Sequence, residues 1–169
     1  MIGDRPRVVL LMGVCGCGKT TVGRRLSEEL GWEWLEGDHL HPAANVEKMG
    51  AGHSLDDHDR EPWLDAIRLR IDRVLGTPRH PGLVVACSAL KRIYRRRLGT
   101  ERPGVRVVHL RGSRELLERR LRARRAHFMP ESLLQSQLDT LEPPTSGWAL
   151  DVARPPAELV REILGNLGP

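Results

Sequence analysis

"MGVCGCGKTT", residues 12–21, is the stretch on which the reading of the fold turns. Gly13-x-x-x-x-Gly18-Lys19-Thr20 matches the phosphate-binding loop at every fixed position. Before it lies "RVVLLM" (7–12), a short continuous apolar run of the kind a strand buried on both faces requires. After it, "TTVGRRLSEELG" (20–31) spaces Val22, Leu26 and Leu30 by four and ends on a glycine, which predicts a helix. Strand, glycine loop and helix follow in the order the chemistry needs. Glycines let successive N–H groups turn inward as a nest for phosphate oxygens, and the helix aims its positive end at the same anions. The backbone of Gly13, Val14, Cys15, Gly16, Cys17, Gly18, Lys19, Thr20 and Thr21 is therefore expected to bind a nucleotide. Lys19 is expected to reach the β- and γ-phosphates of ATP, and the Thr20 hydroxyl to ligate Mg²⁺. Cys15 and Cys17 occupy variable positions. A thiol beside a helix N-terminus can become acidic, but the favoured reading is two small fillers where serine would serve.

Working outward, the strand–helix alternation continues. "WEWLEGD", "GLVVACSA", "VRVVHLRGS" and "WALDVA" predict four more strands. Between them "PWLDAIRLRIDRVLG" predicts a helix with Pro62 in its first turn, and Ser113 is placed to cap an arginine-rich helix. "PESLLQSQLDTLEPP" is helical up to its prolines, and "PPAELVREILGNL" forms a last helix. Alternation of this kind implies right-handed crossovers and a parallel sheet. The expectation is one α/β domain over residues 1–169, a three-layer fold with a five-stranded parallel sheet flanked by helices. Asp38–Arg60 and Arg120–Pro144 depart from simple alternation.

Composition narrows the function classes. The chain has 169 residues, enough for one core, and no apolar run of membrane-spanning length. A signal peptide would discard the glycine loop itself, so a cytoplasmic protein is expected. Three cysteines give no disulfide framework and no metal-site spacing. The net charge of +5 suits nucleic acid or a small anion alike, but one Phe and one Tyr leave little to stack bases on. A guanine-reading Asn-Lys-x-Asp is absent, which argues against a GTP switch. The nearest rival to the reading below is another small-molecule kinase, for shikimate or a nucleotide.

In an open parallel sheet, ligands gather beyond the carboxyl ends of the strands. Those ends deliver Gly13, Asp38, Ser88 and the turn at Gly112 to one edge. Asp38 sits where an acceptor hydroxyl would approach the γ-phosphate and could take its proton. His39 and His41 read first as packing or loop hydrogen-bonding groups. Ser88, Lys91 and Arg95 are three and four apart, so they are expected to share a helix face, with cations suited to a carboxylate or phosphoryl group. Arg60 is a further candidate anion clamp. Arg120, Arg124 and His127 follow a four-then-three spacing in a helical lid expected over about 120–144.

Four stretches together carry a family likeness: "LMGVCGCGKTTVG", "GDHLHPAANVEKMGAGHSLDDHDREPWL", "VVACSALKRIYRRRL" and "HFMPESLLQSQLDTLEPP". The chain resembles the small, P-loop type of gluconokinase from about Val8 to Asp151. The resemblance implies a nucleoside-monophosphate-kinase-like fold with a mobile lid, and commonly a homodimer. It implies ATP-dependent phosphorylation of D-gluconate at its 6-hydroxyl, carbohydrate-acid metabolism feeding the pentose phosphate pathway. Lys19, Asp38, Arg120 and Arg124 would act in catalysis. Asp38, His41, Arg60, Lys91, Arg95 and His127 would hold gluconate, with no nucleic-acid or membrane partner. Such kinases usually read Ser-Gly-Ser where this chain has Cys15-Gly16-Cys17. Ser88 stands where many P-loop proteins place a metal-ordering aspartate, so Mg²⁺ is expected to rest mainly on Thr20, water and the phosphates.

Overall fold

The computed structural model describes residues 5–124 and 131–168. Its five strands are β1 (Val8–Met12), β2 (Glu33–Glu36), β3 (Leu83–Ala86), β4 (Val105–Arg111) and β5 (Trp148–Asp151). They form one sheet in the order β2-β3-β1-β4-β5, and every neighbouring pair is parallel. The helices are α1 (Lys19–Leu30), α2 (Ala43–Gly50), α3 (Asp57–Gly76), α4 (Arg92–Leu98), α5 (Arg114–Ala123), α6 (Glu131–Thr140) and α7 (Pro156–Leu167).

The layers follow from the period-two alternation of strand side chains. In β1 every residue is buried, so both faces of the sheet must be covered. Val9 and Leu11 pack with Val22 and Leu26 of α1, Leu117 of α5 and Ile163 of α7. Val8, Leu10 and Met12 point the other way, against Leu64, Ile67 and Ile71 of α3 and Leu98 of α4. The expected five-stranded three-layer architecture is the observed one.

Three local expectations need correction. The long helix begins at Asp57 and not near Pro62, because Asp56 and Asp59 form a reciprocal capping box that starts it earlier; Pro62 lies inside the helix on an exposed position. The irregular Asp38–Arg60 region contains a 3-10 turn, Gly37–Leu40, and then α2. Helix α4 starts only at Arg92, with Lys91 extended and Ala89 left-handed at φ 46°, so Ser88, Lys91 and Arg95 do not share a helix face. Ser113 does cap α5, accepting from Leu116 N at 3.3 Å. The lid region contains the end of α5 and all of α6, while 125–130 lies outside the described residues.

One buried titratable group gives the fold a pH dependence. His109 on β4 is 5% exposed, and burial, then the nearby Arg111 and Arg95 cations, lower its pKa. The folded chain keeps this imidazole neutral, whereas the unfolded chain takes a proton below the ordinary value of 6.5. Stability from this site is therefore present at neutral pH and lost as pH falls through that value. Melting temperatures at about pH 7.5 and about pH 5.5 check it: H109L should lose less stability on acidification than the wild-type chain. Equal losses would assign the acid sensitivity elsewhere.

Candidate active site

Strand register sets the stage. Ala86 of β3 lies opposite Leu11 of β1 and Glu36 of β2, so the three chains leave the sheet at one level. Gly13 N then donates to Ser88 O at 3.3 Å, tying the phosphate loop to the β3–α4 turn.

Within the loop the backbone divides its amides into two sets. Gly13, Cys15 and Cys17 donate within the chain, to Ser88 O, Gln137 Oε1 and Val14 O. The amides of Gly16, Gly18, Lys19, Thr20 and Thr21 have no such partner among the described residues, and Val22 N starts the helical ladder by donating to Gly18 O at 3.0 Å. Gly16 and Gly18 sit at φ 81° and 97°, left-handed geometry that turns those N–H groups into a concavity. The Lys19 ammonium folds over the loop, donating to Gly13 O at 2.8 Å and Val14 O at 3.2 Å.

The cysteines behave as fillers. Cys17 is 1% exposed in the core on the α1 side of the sheet, and Cys15 packs against the same cluster. Burial, the largest influence, raises the Cys15 pKa, and it pushes Cys87 up to about 12. Neither is held as a reactive thiolate.

Thr20 Oγ1 donates to Glu36 Oε2 at 2.7 Å, and Glu36 is a site residue that sequence reasoning missed. A hydroxyl and a carboxylate oxygen at the mouth of a phosphate loop are hard donors that suit Mg²⁺. No group of three or more His, Cys, Asp or Glu could hold a metal among the described residues. A bound ion would thus rest on the Thr20 hydroxyl, phosphate oxygens and water, with Glu36 behind the hydroxyl that donates to it.

Asp38 stands exposed on the 3-10 turn that follows β2. Two buried contacts fix that turn. Trp63 Nε1 donates to Gly37 O at 2.7 Å, and a Cβ on Gly37 would overlap the carbonyl oxygen of Ala86. His41 stacks on Trp63, with ring centroids 4.2 Å apart and planes at 16°. Its pKa is lowered, burial being the main cause, so it stays neutral at physiological pH. Asn45 Nδ2 donates to Asp59 O at 2.7 Å and lies 3.4 Å from His41 Nδ1.

Opposite Asp38 a basic cluster surrounds one carboxylate. Lys91 Nζ reaches Asp57 at 2.8 and 3.1 Å, and the Tyr94 hydroxyl donates to Asp57 at 2.5 Å. Those two bonds, the lysine's first, lower the Asp57 pKa. The Arg60 guanidinium lies 5.5 Å from the Tyr94 ring centroid and donates to Leu55 O. Arg60, Lys91 and Tyr94 are thus brought together, and Asp57 and Tyr94 join the set unforeseen. Arg95 does not join. It is 6% exposed and donates to Ala89 O at 2.9 Å and Leu90 O at 3.0 Å, so it supports the left-handed turn from within and does not reach for a ligand.

Arg120 donates to Val152 O at 2.6 Å, and its Nη1 lies 4.0 Å from where a Cβ on Gly18 would be. It borders the phosphate loop from the β5 side. Arg124 ends α5, exposed, close enough to act electrostatically on Cys15. His127 lies outside the described residues. No helix among the described residues is long and apolar enough to cross a membrane.

Comparison with known proteins places this geometry in context. The family model described as AAA domain matches residues 8–144. A gluconokinase of Gluconobacter oxydans is 48% identical over 147 residues, covering 85% of this chain and 79% of that protein. A probable gluconokinase of Xenopus tropicalis is 42% identical over 178 aligned positions, covering 95% of this chain and 93% of that protein. The crystal structure of a gluconokinase from Sinorhizobium meliloti 1021 superposes with a TM-score of 0.84 at 47% identity, covering 96% of this chain and 92% of that one.

Proposed function

The chain belongs to the gluconokinase family, and from that membership we infer that it transfers the γ-phosphoryl group of ATP to the 6-hydroxyl of D-gluconate, giving 6-phospho-D-gluconate and ADP. The observation that carries the reading is the shared sheet edge. A phosphate cradle after β1, a lone carboxylate after β2 and a cationic cluster at the start of α4 all open there.

The division of labour follows from charge. The gluconate carboxylate is matched by Lys91 and Arg60, with the Tyr94 hydroxyl beside them and Asp57 giving up part of its hold on Lys91. His41, neutral and stacked on Trp63, stands near enough to Asp38 to feel its charge and completes the substrate side of the site. Asp38 orients the hydroxyl for in-line attack and accepts its proton. The amides of Gly16, Gly18, Lys19, Thr20 and Thr21 hold phosphate oxygens, and Lys19 exchanges its carbonyl partners for them. Arg120 and Arg124 neutralise charge on the transferring group. Mg²⁺, when bound, draws electron density from the β- and γ-phosphates. Thr20 would hold it directly, and Glu36 would orient Thr20 and the ion's water.

Glu36 makes that metal assignment testable. E36Q should raise the Mg²⁺ concentration needed for half-maximal ATP binding about tenfold, with gluconate saturation unchanged. A wild-type Mg²⁺ requirement in E36Q would remove Glu36 from the metal site.

ATP consumption with D-gluconate, shikimate, AMP or no acceptor tests the function itself. ADP release that depends on gluconate, with 6-phosphogluconate as product, is the expected result. Turnover of another acceptor alone would keep the cradle and overturn the substrate. Assembly as a homodimer and work in the cytoplasm belong to the same proposal, and the mass in solution tests the first.

A further inference from the structure

We propose that Gln137 is a positioning residue of the phosphate loop, holding it in nucleotide-binding shape through the Cys15 amide. This rests on the reading of Gly13–Thr20 as the ATP cradle. Positions 134, 137, 138 and 141 follow the i, i+3, i+4, i+7 pattern of a core-facing helix side. Leu134, 1% exposed, shares a core cluster with Val14 and Cys17, and Leu138 and Leu141 pack against that cluster. The fourth member of the buried side is a glutamine, where packing alone would favour leucine. Its Oε1 accepts from Cys15 N at 2.7 Å. The other glutamine of α6, Gln135, turns outward to Arg114 and Asp139.

The bond matters because of where that amide sits. Cys15 immediately precedes Gly16, the first of the two left-handed residues that shape the cradle. Anchoring the Cys15 N–H fixes the Val14–Cys15 peptide plane, the one just before the plane whose N–H belongs to Gly16. Without an acceptor, a half-buried amide would seek water or a carbonyl, and the loop would have to bend to find one. Helix α6 can supply the acceptor because it is pinned beyond its far end. Glu142 N donates to Leu90 O at 2.9 Å, and Glu142 Oε2 accepts from Arg92 N at 2.6 Å. One rigid element thus reaches from the phosphate loop to the turn that carries Lys91.

The test is Q137M, which keeps length and apolar packing and removes the acceptor. Its melting temperature should stay within a few degrees of the wild-type value, the added apolar packing offsetting the unpaired Cys15 amide. Its Kd for ADP, by calorimetry, should rise about tenfold, while KM for gluconate moves less than about twofold. Unchanged ADP affinity would overturn the proposal, as would equal losses in both ligands with a lowered melting temperature, the mark of a merely structural residue. Should Q137M not fold, amide-resolved hydrogen exchange of the wild-type chain decides: Cys15 N–H protected with and without ADP supports it, and exchange as fast as an exposed amide overturns it. ADP binding needs no acceptor substrate. Wild-type protein that binds ADP but ignores gluconate would refute the substrate while leaving Gln137's role standing.

Discussion

Asp38→Asn should lower kcat by about a hundredfold or more while leaving affinity for ATP within about twofold. Asparagine keeps the size and hydrogen-bonding reach of the side chain but cannot take a proton from the attacking hydroxyl. Asp38 is exposed on its turn and its side chain makes no hydrogen bond among the described residues, so the substitution removes no such contact there. Nor does it touch the amides of the glycine loop, which belong to a different strand-to-helix connection. Steady-state kinetics with ADP binding measured separately give the answer. Equal losses in turnover and nucleotide affinity would show that the carboxylate shapes the cradle and has no part in proton transfer.

The second large effect comes from a residue with no functional group. Gly37→Ala should destabilise the fold by about 2–3 kcal/mol and lower kcat/KM by about a hundredfold. The first new atom would overlap the Ala86 carbonyl oxygen, a backbone atom of the adjacent strand, and sit 3.2 Å from Ile67 Cδ1. Neither the strand nor the long helix can yield cheaply, so the 3-10 turn must move. It carries Asp38, and it would also lose the 2.7 Å bond from Trp63 Nε1. Urea unfolding and kinetics measure the two parts separately. A G37A protein as stable and active as the wild-type chain would mean that the turn has slack the packing does not suggest.

How much of this was legible in the sequence depended on whether a signal was local. The phosphate loop and the strand alternation were legible, because buried strands leave unbroken apolar runs and the glycine spacing is fixed. Helix α2 was invisible: its apolar residues Val46 and Met49 are exposed, so "AANVEKMG" shows no core stripe. The start of α3 was misjudged because Pro62 mimics a first-turn proline, although Asp56-x-x-Asp59 spelled out the cap. Arg95 was placed on the ligand side by helical spacing that the left-handed Ala89 interrupts. Glu36 and Asp57 carry no motif of their own and acquire meaning only beside Thr20 and Lys91. Gln137 is out of reach for any local reading, since its partner is 122 positions away.

The central place of β1 has a consequence for how the chain is made. Its first residues on the ladder, beginning with Val8, pair with Leu83 on one side and Val105 on the other. A ribosome emits β1 before either of its neighbours, and residues 13–82 separate it from β3. Contacts this distant close slowly, because the intervening polypeptide must surrender its freedom before the pairing stabilises anything. Until those partners arrive, the apolar stretch "VVLLM" is exposed and in need of shelter. The glycine loop, tied to Ser88 and Gln137, takes its final shape only after both distant partners have been made.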